Sequence, residues 1–281
     1  MIQASKAWLQ NALPGKFQPF TARWRDENSA PAQQFIPWIL NGEHLGFWDT
    51  QHQTTFDKVF HAADLACTST ALGMNCTSTA GPQLLSAKLA SAGNMLKALG
   101  LVPGWRNEEQ LLLSPQGQVL ATAERALFKT LGLRSRAVHV HVENHNGCVW
   151  TGVRSLTKHE NPGMLDNLAA GGIASAESVE RTLWRELDEE AGLNSDDFAW
   201  IKPLAPHELV LSRPLLYGGW HHETVILFHG QLKRGRRPEN RDGEVSAFQL
   251  MSPNACVEAI NAWQFTPDAA LCCALALNAT K

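Results

Sequence analysis

An α/β or α+β sandwich in two parts is the fold class this chain predicts. Three observations carry it. Several short alternating or apolar runs read as strands, one amphipathic stretch after Gly172 reads as a capped helix, and the chain closes on an apolar helical run. Strands flanked by a few helices pack as layers around a shared core. At 281 residues, 44% hydrophobic and 18% charged, the chain has ample surface to bury and reads as globular rather than disordered. Its formal net charge of −3 offers no basic footprint for nucleic acid. No apolar run reaches the roughly 18 residues of a membrane span, and "MIQASKAWLQNALPGKF" has too short an apolar core for a secretory signal. A cytoplasmic protein with neither nucleic-acid nor membrane partners is expected. Cys67, Cys76, Cys148, Cys256, Cys272 and Cys273 form no C-x-x-C pair, and reduced core thiols are expected.

Taken in order, "FIPWILNGEHLGFW" reads as strand, turn at "NGEH", strand. Residues 62–100, rich in Ala, Leu and Ser, are expected to be largely helical. "LLLSPQGQVLATAERALFKTLGLRS" reads as a strand, a turn around Pro115–Gly117, and a helix ending at Gly132. "RAVHVHVEN" alternates strictly, with Val138, Val140 and Val142 on one face and His139 and His141 on the other, which predicts a half-buried strand. The division falls near residue 130, giving a smaller α+β part over 1–130 and a second part over 131–281. The junction "GLRSR" is too short to be a free tether, so the first part is expected to pack on the second and help form its pocket. Further strands are read at "GCVWTGVRS", "HELVLSRPL", "ETVILFHGQL" and "EVSAFQLM".

The strongest element is the helix expected from Val179 to Ala191. Ser178 suits its N-cap and Gly192 its left-handed stop. Val179, Leu183, Leu187 and Ala191 form an apolar stripe. Beside it stand Glu186, Glu189 and Glu190 at i, i+3 and i+4, neighbours in space. A solvated acidic face explains them poorly. Carboxylates near a helix C-terminus oppose the macrodipole, and each like-charge pair at this spacing costs a few tenths of a kcal/mol, on the order of 0.2–0.5. A divalent cation removes both penalties, and carboxylate oxygens suit Mg²⁺ or Mn²⁺ completed by substrate phosphate.

The same stretch resembles the Nudix box, G-x5-E-x7-R-E-U-x-E-E-x-G-U, at every fixed position: Gly171, Glu177, Arg185, Glu186, Leu187, Glu189, Glu190, Gly192 and Leu193. The resemblance implies the Nudix fold, a mixed β-sheet sandwiched by helices, and hydrolysis of a small-molecule diphosphate. It implies Glu186, Glu189 and Glu190 as metal ligands, with the Gly171 carbonyl as a backbone ligand. Glu177 and Arg185 match a pair that braces loop against helix; a phosphate contact by Arg185 stays open. Many such enzymes add a later glutamate, for which Glu244, after the Asp242–Gly243 turn, is the candidate, in competition with Glu208, Glu223 and Glu239. Glu189, Glu190 and Glu244 are all candidates for the general base. The basic run 233–241, "KRGRRPENR", either attracts phosphate or is a solvated loop.

A second likeness narrows the substrate. Arg154, Ser155, Lys158, the run "PGMLDNLAAGG" over 162–172 and "ERALFKTLG" over 124–132 resemble a Nudix subfamily with an N-terminal domain of unknown role, related to proteins associated with thiamine pyrophosphokinase. That implies action on thiamine diphosphate or damaged oxo- and oxy-analogues, yielding the monophosphate. Arg154 and Lys158 are candidate phosphate contacts. Trp38, Trp48, Trp150 and Trp220 are candidates for ring stacking, though each is more readily read as a core residue. Hydrolysis of ADP-ribose, a nucleotide sugar, a dinucleotide or a coenzyme A derivative is the alternative. An isopentenyl diphosphate isomerase would need a further His-rich site and a catalytic Cys. A non-cleaving Nudix-like regulator would be expected to lack box glutamates.

Overall fold

The computed structural model describes residues 2–24, 34–70, 73–158, 160–215 and 219–279. Strand β1 (Ile2–Gln3) leads into helices α1 (Lys6–Ala12) and α2 (Gln18–Arg23). Strands β2 (Phe35–Leu40) and β3 (Glu43–Asp49) turn at Asn41 and Gly42, with φ of 51° and 86°, a left-handed pair that Asn-Gly accepts readily. Helix α3 (Gln53–Ala62), strands β4 (Ala66–Thr70) and β5 (Gly73–Thr77), and helix α4 (Pro82–Ala98) follow. Strands β2 to β5 make a four-stranded sheet ordered β3-β2-β5-β4. A hairpin of β6 (Glu109–Leu113) and β7 (Val119–Glu124) and the short helix α5 (Arg125–Thr130) complete this body. Its core gathers Trp38, Trp48, Phe56, Phe60, Leu89, Leu127 and Phe128.

The second body begins with β8 (Arg134–Glu143), β9 (Val149–Arg154), β10 (Leu165–Asp166) and β11 (Ala169–Gly172). Helix α6 (Val179–Ala191), strands β12 (Phe198–Pro214), β13 (Trp220–Leu232) and β14 (Val245–Met251), and helices α7 (Pro253–Asn261) and α8 (Pro267–Ala279) complete it. One eight-stranded mixed sheet runs β1-β12-β13-β8-β9-β10, with β11 on β8 and β14 on β9. Pairing is parallel for β8–β13 and β1–β12 and antiparallel elsewhere. Helix α6 covers one face, where Leu183, Leu187 and Ala191 pack with Val138, Val140, Val142 and Ile226. Helix α8 covers the other, where Leu271, Cys272 and Leu275 join Leu209, Leu211, Val225 and Leu227. The expected sheet between helices is therefore the architecture.

Several expectations need correction. Strand β8 is not half-buried. It lies inside the sheet with a helix layer on each face, so His139 and His141 are 6% and 2% exposed. Burial and the neighbouring His229 hold the His141 imidazole down at about 3, so it is neutral. Residues 62–100 are not largely helical, because the Thr- and Ser-rich runs of β4 and β5 pair as an antiparallel hairpin. "VLATAE" is a strand rather than the start of a helix, since it alternates and pairs with β6. Two of the six cysteines are not thiols. Cys67 and Cys76 are cross-strand partners in that hairpin and form a disulfide. Cys256, Cys272 and Cys273 are buried free thiols, as expected.

The beginning of the chain does not stay with the first body. β1 extends the second sheet beside β12, and Leu9, Leu13, Phe17, Phe20 and Trp24 sit in the core beneath α7 and α8. Each such side chain contributes about 1.5–3 kcal/mol on burial, and a domain's whole stability is about 5–15 kcal/mol. A fragment starting at Arg134 is therefore expected to lack cooperative unfolding in a circular-dichroism melt. A sharp transition near that of the full chain would show that the first 24 residues are dispensable.

Candidate active site

Helix α6 takes the expected bounds. Ser178 Oγ accepts the Arg181 N–H at 3.1 Å, and Gly192, at φ 65°, closes the last turn through Asp188 O at 3.0 Å. The apolar stripe presses α6 onto β8 and β11. That sets Glu186 and Glu190, one turn apart, against the backbone of β11, where they are 8% and 9% exposed. Glu190 Oε2 accepts the Ala170 N–H at 3.0 Å. A Cβ on Gly171 would stand 1.8 Å from Glu186 Oε1, so only glycine leaves room for that carboxylate.

The electrostatics follow from this burial. Desolvation, then the charge of Glu186, pushes the Glu190 carboxyl well above the ordinary value of 4.5; the Ala170 N–H opposes this. Desolvation also raises Glu186, against the pull of Arg185. Two buried carboxylates that resist ionisation one helical turn apart are a donor set that fits a hard divalent cation. Glu189 is different. It is exposed, and its carboxylate meets Arg185 Nη1 at 2.8 Å.

Arg185 acts as a brace. Its Nε meets Glu177 Oε1 at 2.9 Å, Nη2 meets Glu177 Oε2 at 3.0 Å and the Gly172 carbonyl at 3.3 Å, and Nη1 lies 2.7 Å from Glu186 Oε1. Burial opposes its charge, but the carboxylates outweigh that and hold it firmly protonated. All three of its nitrogens lie beside protein acceptors, which fits the bracing role.

Glu244 stands at the entry to β14, the strand that pairs with β9. Oxygens of Glu190, Asp242 and Glu244 lie within 4.8 Å of one another. Glu244 pairs with Lys158 and lies 3.7 Å from Arg106 Nη1. Despite partial burial, these cations keep its carboxyl below the ordinary range. A small open cleft is lined by Arg154, Lys158, Asp166, Asn167, Ala170, Glu190, Glu244 and Val245. Arg154 is engaged there, with Nη1 2.6 Å from Asp166 Oδ2 and Nη2 on the Glu160 carbonyl at 3.0 Å.

The competing glutamates lie elsewhere. Glu223 accepts Ser135 Oγ at 2.8 Å, Glu208 lies on β12 and Glu239 is 4.0 Å from Arg237. In the basic run, Arg236 pairs with Asp197 at 3.1 Å, Lys233 binds the Asp196 carbonyl at 2.7 Å, and Arg241 pairs with Asp188. Three of the stacking candidates are core residues, Trp38, Trp48 and Trp220 at 1%, 0% and 0% exposed, whereas Trp150 is half-buried against the cluster beneath α6. Asp242, noted from the sequence as a turn residue, and Asp166 and Asn167 of the run 162–172 also stand at the site, in places their sequence context does not specify. No sequence signal marked Arg106, Gln110 and Arg125 of the first body. Gln110 Nε2 fills the space beside Gly172, Arg125 lies just beyond it, and the Ser175 N–H donates to the Glu109 carbonyl at 2.8 Å.

Comparison with known proteins decides the family of this second body. Residues 133–270 match the NUDIX domain. The chain carries a Nudix domain. It is 27% identical over 248 residues to "Nudix hydrolase 24, chloroplastic" and 25% identical over 238 residues to "Nudix hydrolase 20, chloroplastic", both of Arabidopsis thaliana. These alignments take in 84% and 78% of the chain, so the likeness reaches beyond the Nudix domain into the first body. The chain spans 64% and 60% of those relatives' own lengths. Among solved structures, the crystal structure of DR0079 from Deinococcus radiodurans aligns over 57% of this chain and 92% of its own, with 22% identity and a TM-score of 0.45. No helix among the described residues is long and apolar enough to cross a membrane.

The raised carboxyl of Glu190 sets a pH dependence in metal-free protein. A folded-state pKa above the unfolded value of 4.5 contributes stability that is complete below that value and is lost as pH rises through the folded one. The melting temperature of chelated protein is expected to fall as pH rises from 4.5 toward neutral. Glu190→Gln should flatten that fall, and Mg²⁺ should raise the melting temperature of the wild type at neutral pH more than that of the variant. Superimposable calorimetric pH profiles for the two proteins would refute the assignment.

Proposed function

We propose that this protein hydrolyses a diphosphate linkage in a small molecule, with Mg²⁺ or Mn²⁺ held by Glu186, Glu189, Glu190, Glu244 and the Gly171 carbonyl. One observation carries the reading: two buried carboxylates one helical turn apart, over a glycine whose missing side chain admits one of them, with Glu244 brought to the other from a distant loop. A bound cation supplies charge neutralisation on diphosphate oxygens and acidifies water. The chain supplies the rest. Arg185 and Glu177 hold the loop on the helix so that the carboxylates keep their spacing. Glu244, kept ionised by Lys158 and Arg106, is the base we favour to take the proton of the attacking water, with Glu189 and Glu190 as the other candidates. Lys158, which lines the pocket and pairs with Glu244, is the residue we assign to a substrate phosphate. Water's oxygen joins one phosphorus, the bridging P–O bond breaks, and the departing phosphate keeps the bridging oxygen.

Glu244→Gln tests the base directly. It is expected to lower kcat by about 100-fold or more with little change in KM, since a proton acceptor acts mainly in the transition state. Near-normal kcat would remove Glu244 from the mechanism while leaving the box glutamates in place.

For the substrate we propose thiamine diphosphate or its oxo- and oxy-analogues, cleaved to the monophosphate and phosphate. The support is the resemblance of residues 162–172, since Asp166, Asn167 and Ala170 of that run line the pocket. Asp166 can accept from a ring amino group and the Asn167 amide can also donate to a ring oxo group, so this lining suits a polar-substituted ring better than an apolar one. A site paired to a ring's altered edge discriminates strongly, because the wrong edge leaves buried polar groups unpaired. The expected ranking puts oxythiamine diphosphate first in kcat/KM, ahead of thiamine diphosphate, ADP-ribose and a nucleoside triphosphate in one Mg²⁺ buffer. A lead of about tenfold for ADP-ribose or the triphosphate, roughly 1.4 kcal/mol in transition-state binding, would reject thiamine and leave the diphosphate reading standing.

A further inference from the structure

The sheet carries a second set of metal-type donors, on the face of β8 turned away from α6. Residues two apart on a strand point the same way, so β8 sends both His141 and Glu143 to that face. His229 of β13 is the parallel-register partner of His141. The three side chains, from two adjacent strands, are buried: His141, Glu143 and His229 are 2%, 7% and 3% exposed. His229 Nε2 lies 3.0 Å from Glu143 Oε1 and His141 Nε2 lies 3.9 Å from the same oxygen. One donor atom from each lies within 4.8 Å of the other two. The imidazole rings stand 5.0 Å apart at 68°, and the edge of Trp200 closes over His229.

Hydrogen bonding satisfies only part of this group. The His229–Glu143 contact is a sound hydrogen bond, but 3.9 Å is too long for one. His141 Nε2 is left as a buried nitrogen without a hydrogen-bond partner, aimed at the oxygen its neighbour already holds. Burying a polar atom unpaired is destabilising, and nothing in the Nudix site calls for one here.

We propose that His141, Glu143 and His229 form a binding site for a transition-metal ion of the Zn²⁺ class, distinct from the carboxylate site beside α6. Tetrahedral Zn²⁺ with bonds of about 2.0–2.1 Å sets its ligand atoms about 3.3 Å apart. The separations of 3.0 and 3.9 Å bracket that distance, so small side-chain movements close the site. An ion at this point accepts the idle lone pair of His141 Nε2. Two imidazoles and one carboxylate select Zn²⁺ and its neighbours over Mg²⁺, which takes oxygen ligands. Three protein ligands leave a fourth position for water. Because the ligands span β8 and β13, the ion also pins the parallel pair at the centre of the sheet.

The test uses the full chain, expressed with added Zn²⁺ and dialysed against excess Mg²⁺ to fill the carboxylate site. Elemental analysis is expected to find about one Zn²⁺ per chain. His141→Asn combined with His229→Gln should lose it, whereas Glu186→Gln combined with Glu190→Gln should retain it. Removal of Zn²⁺ with a strong chelator should lower the melting temperature of the wild type. Zinc that is absent from the wild type, or that follows the Glu186 and Glu190 substitutions instead, would overturn the proposal. If the histidine variant does not fold, Co²⁺ loaded into the wild type decides. Intense visible absorption of a four-coordinate ion supports the site, and only the weak spectrum of a six-coordinate oxygen site sinks it.

Discussion

The approach of α6 to β11 is the constraint on which the site depends. The helix lies so close that Gly171 has no space for a side chain, and the Glu186 carboxylate stands where a Cβ would be. That closeness is set by ordinary packing, with Leu183, Leu187 and Ala191 driven against Val138, Val140 and Ile226. Hydrophobic burial therefore does electrostatic work. It carries Glu186 and Glu190 out of water beside backbone dipoles and raises their affinity for any positive charge, proton or metal. Arg185 limits the penalty by binding Glu177, Glu186 and Glu189 together. No contact of Arg185 with Glu190 accompanies these, and burial together with the charge of Glu186 holds the Glu190 carboxyl well above its ordinary range.

Local signals were legible in the sequence wherever a residue's role follows from its neighbours along the chain. Ser178 and Gly192 bounded α6 correctly, Asn41–Gly42 marked its hairpin, and the glutamate spacing placed Glu186 and Glu190 on one flank. Strand runs were read well after residue 131, where apolar content is high. Layering was not legible. "VHVHVE" looks half-polar, yet helices cover both faces of β8, and a histidine can be buried once its charge is given up. The Thr- and Ser-rich hairpin of β4 and β5 was obscured by the helical composition around it. Its disulfide follows from pairing register, which no residue count reveals.

The contribution of the first body was the least legible part, for a physical reason. Arg106, Gln110 and Arg125 carry no motif and lie about 50 to 140 residues from the groups they face. Only the docking of the β6–β7 hairpin on the loop after Gly172 brings them there. The same holds for Leu9, Phe17 and Phe20, which belong by sequence to one body and by packing to the other. The chain thus wraps the Nudix sheet from both ends. The relatives of Arabidopsis thaliana align across both bodies, as expected if the two are maintained as a unit.

The two faces of β8 show how one sheet can keep two polar groups of different character apart. Toward α6, the polar groups are the carboxylates of Glu186 and Glu190, beside the pocket that Glu190 lines. Toward α8, they are two imidazoles and a single carboxylate in a sealed interior. Oxygen-rich sites suit Mg²⁺ and Mn²⁺, whereas imidazoles suit Zn²⁺. Selectivity between the two proposed sites then rests on donor type and not on shape. It is also robust to crowding of ions: Mg²⁺ in large excess gains little from imidazole nitrogens, so it does not readily displace a softer ion from them. Strand alternation, which sends Val140 and Val142 to one side and His141 and Glu143 to the other, is the device that separates them.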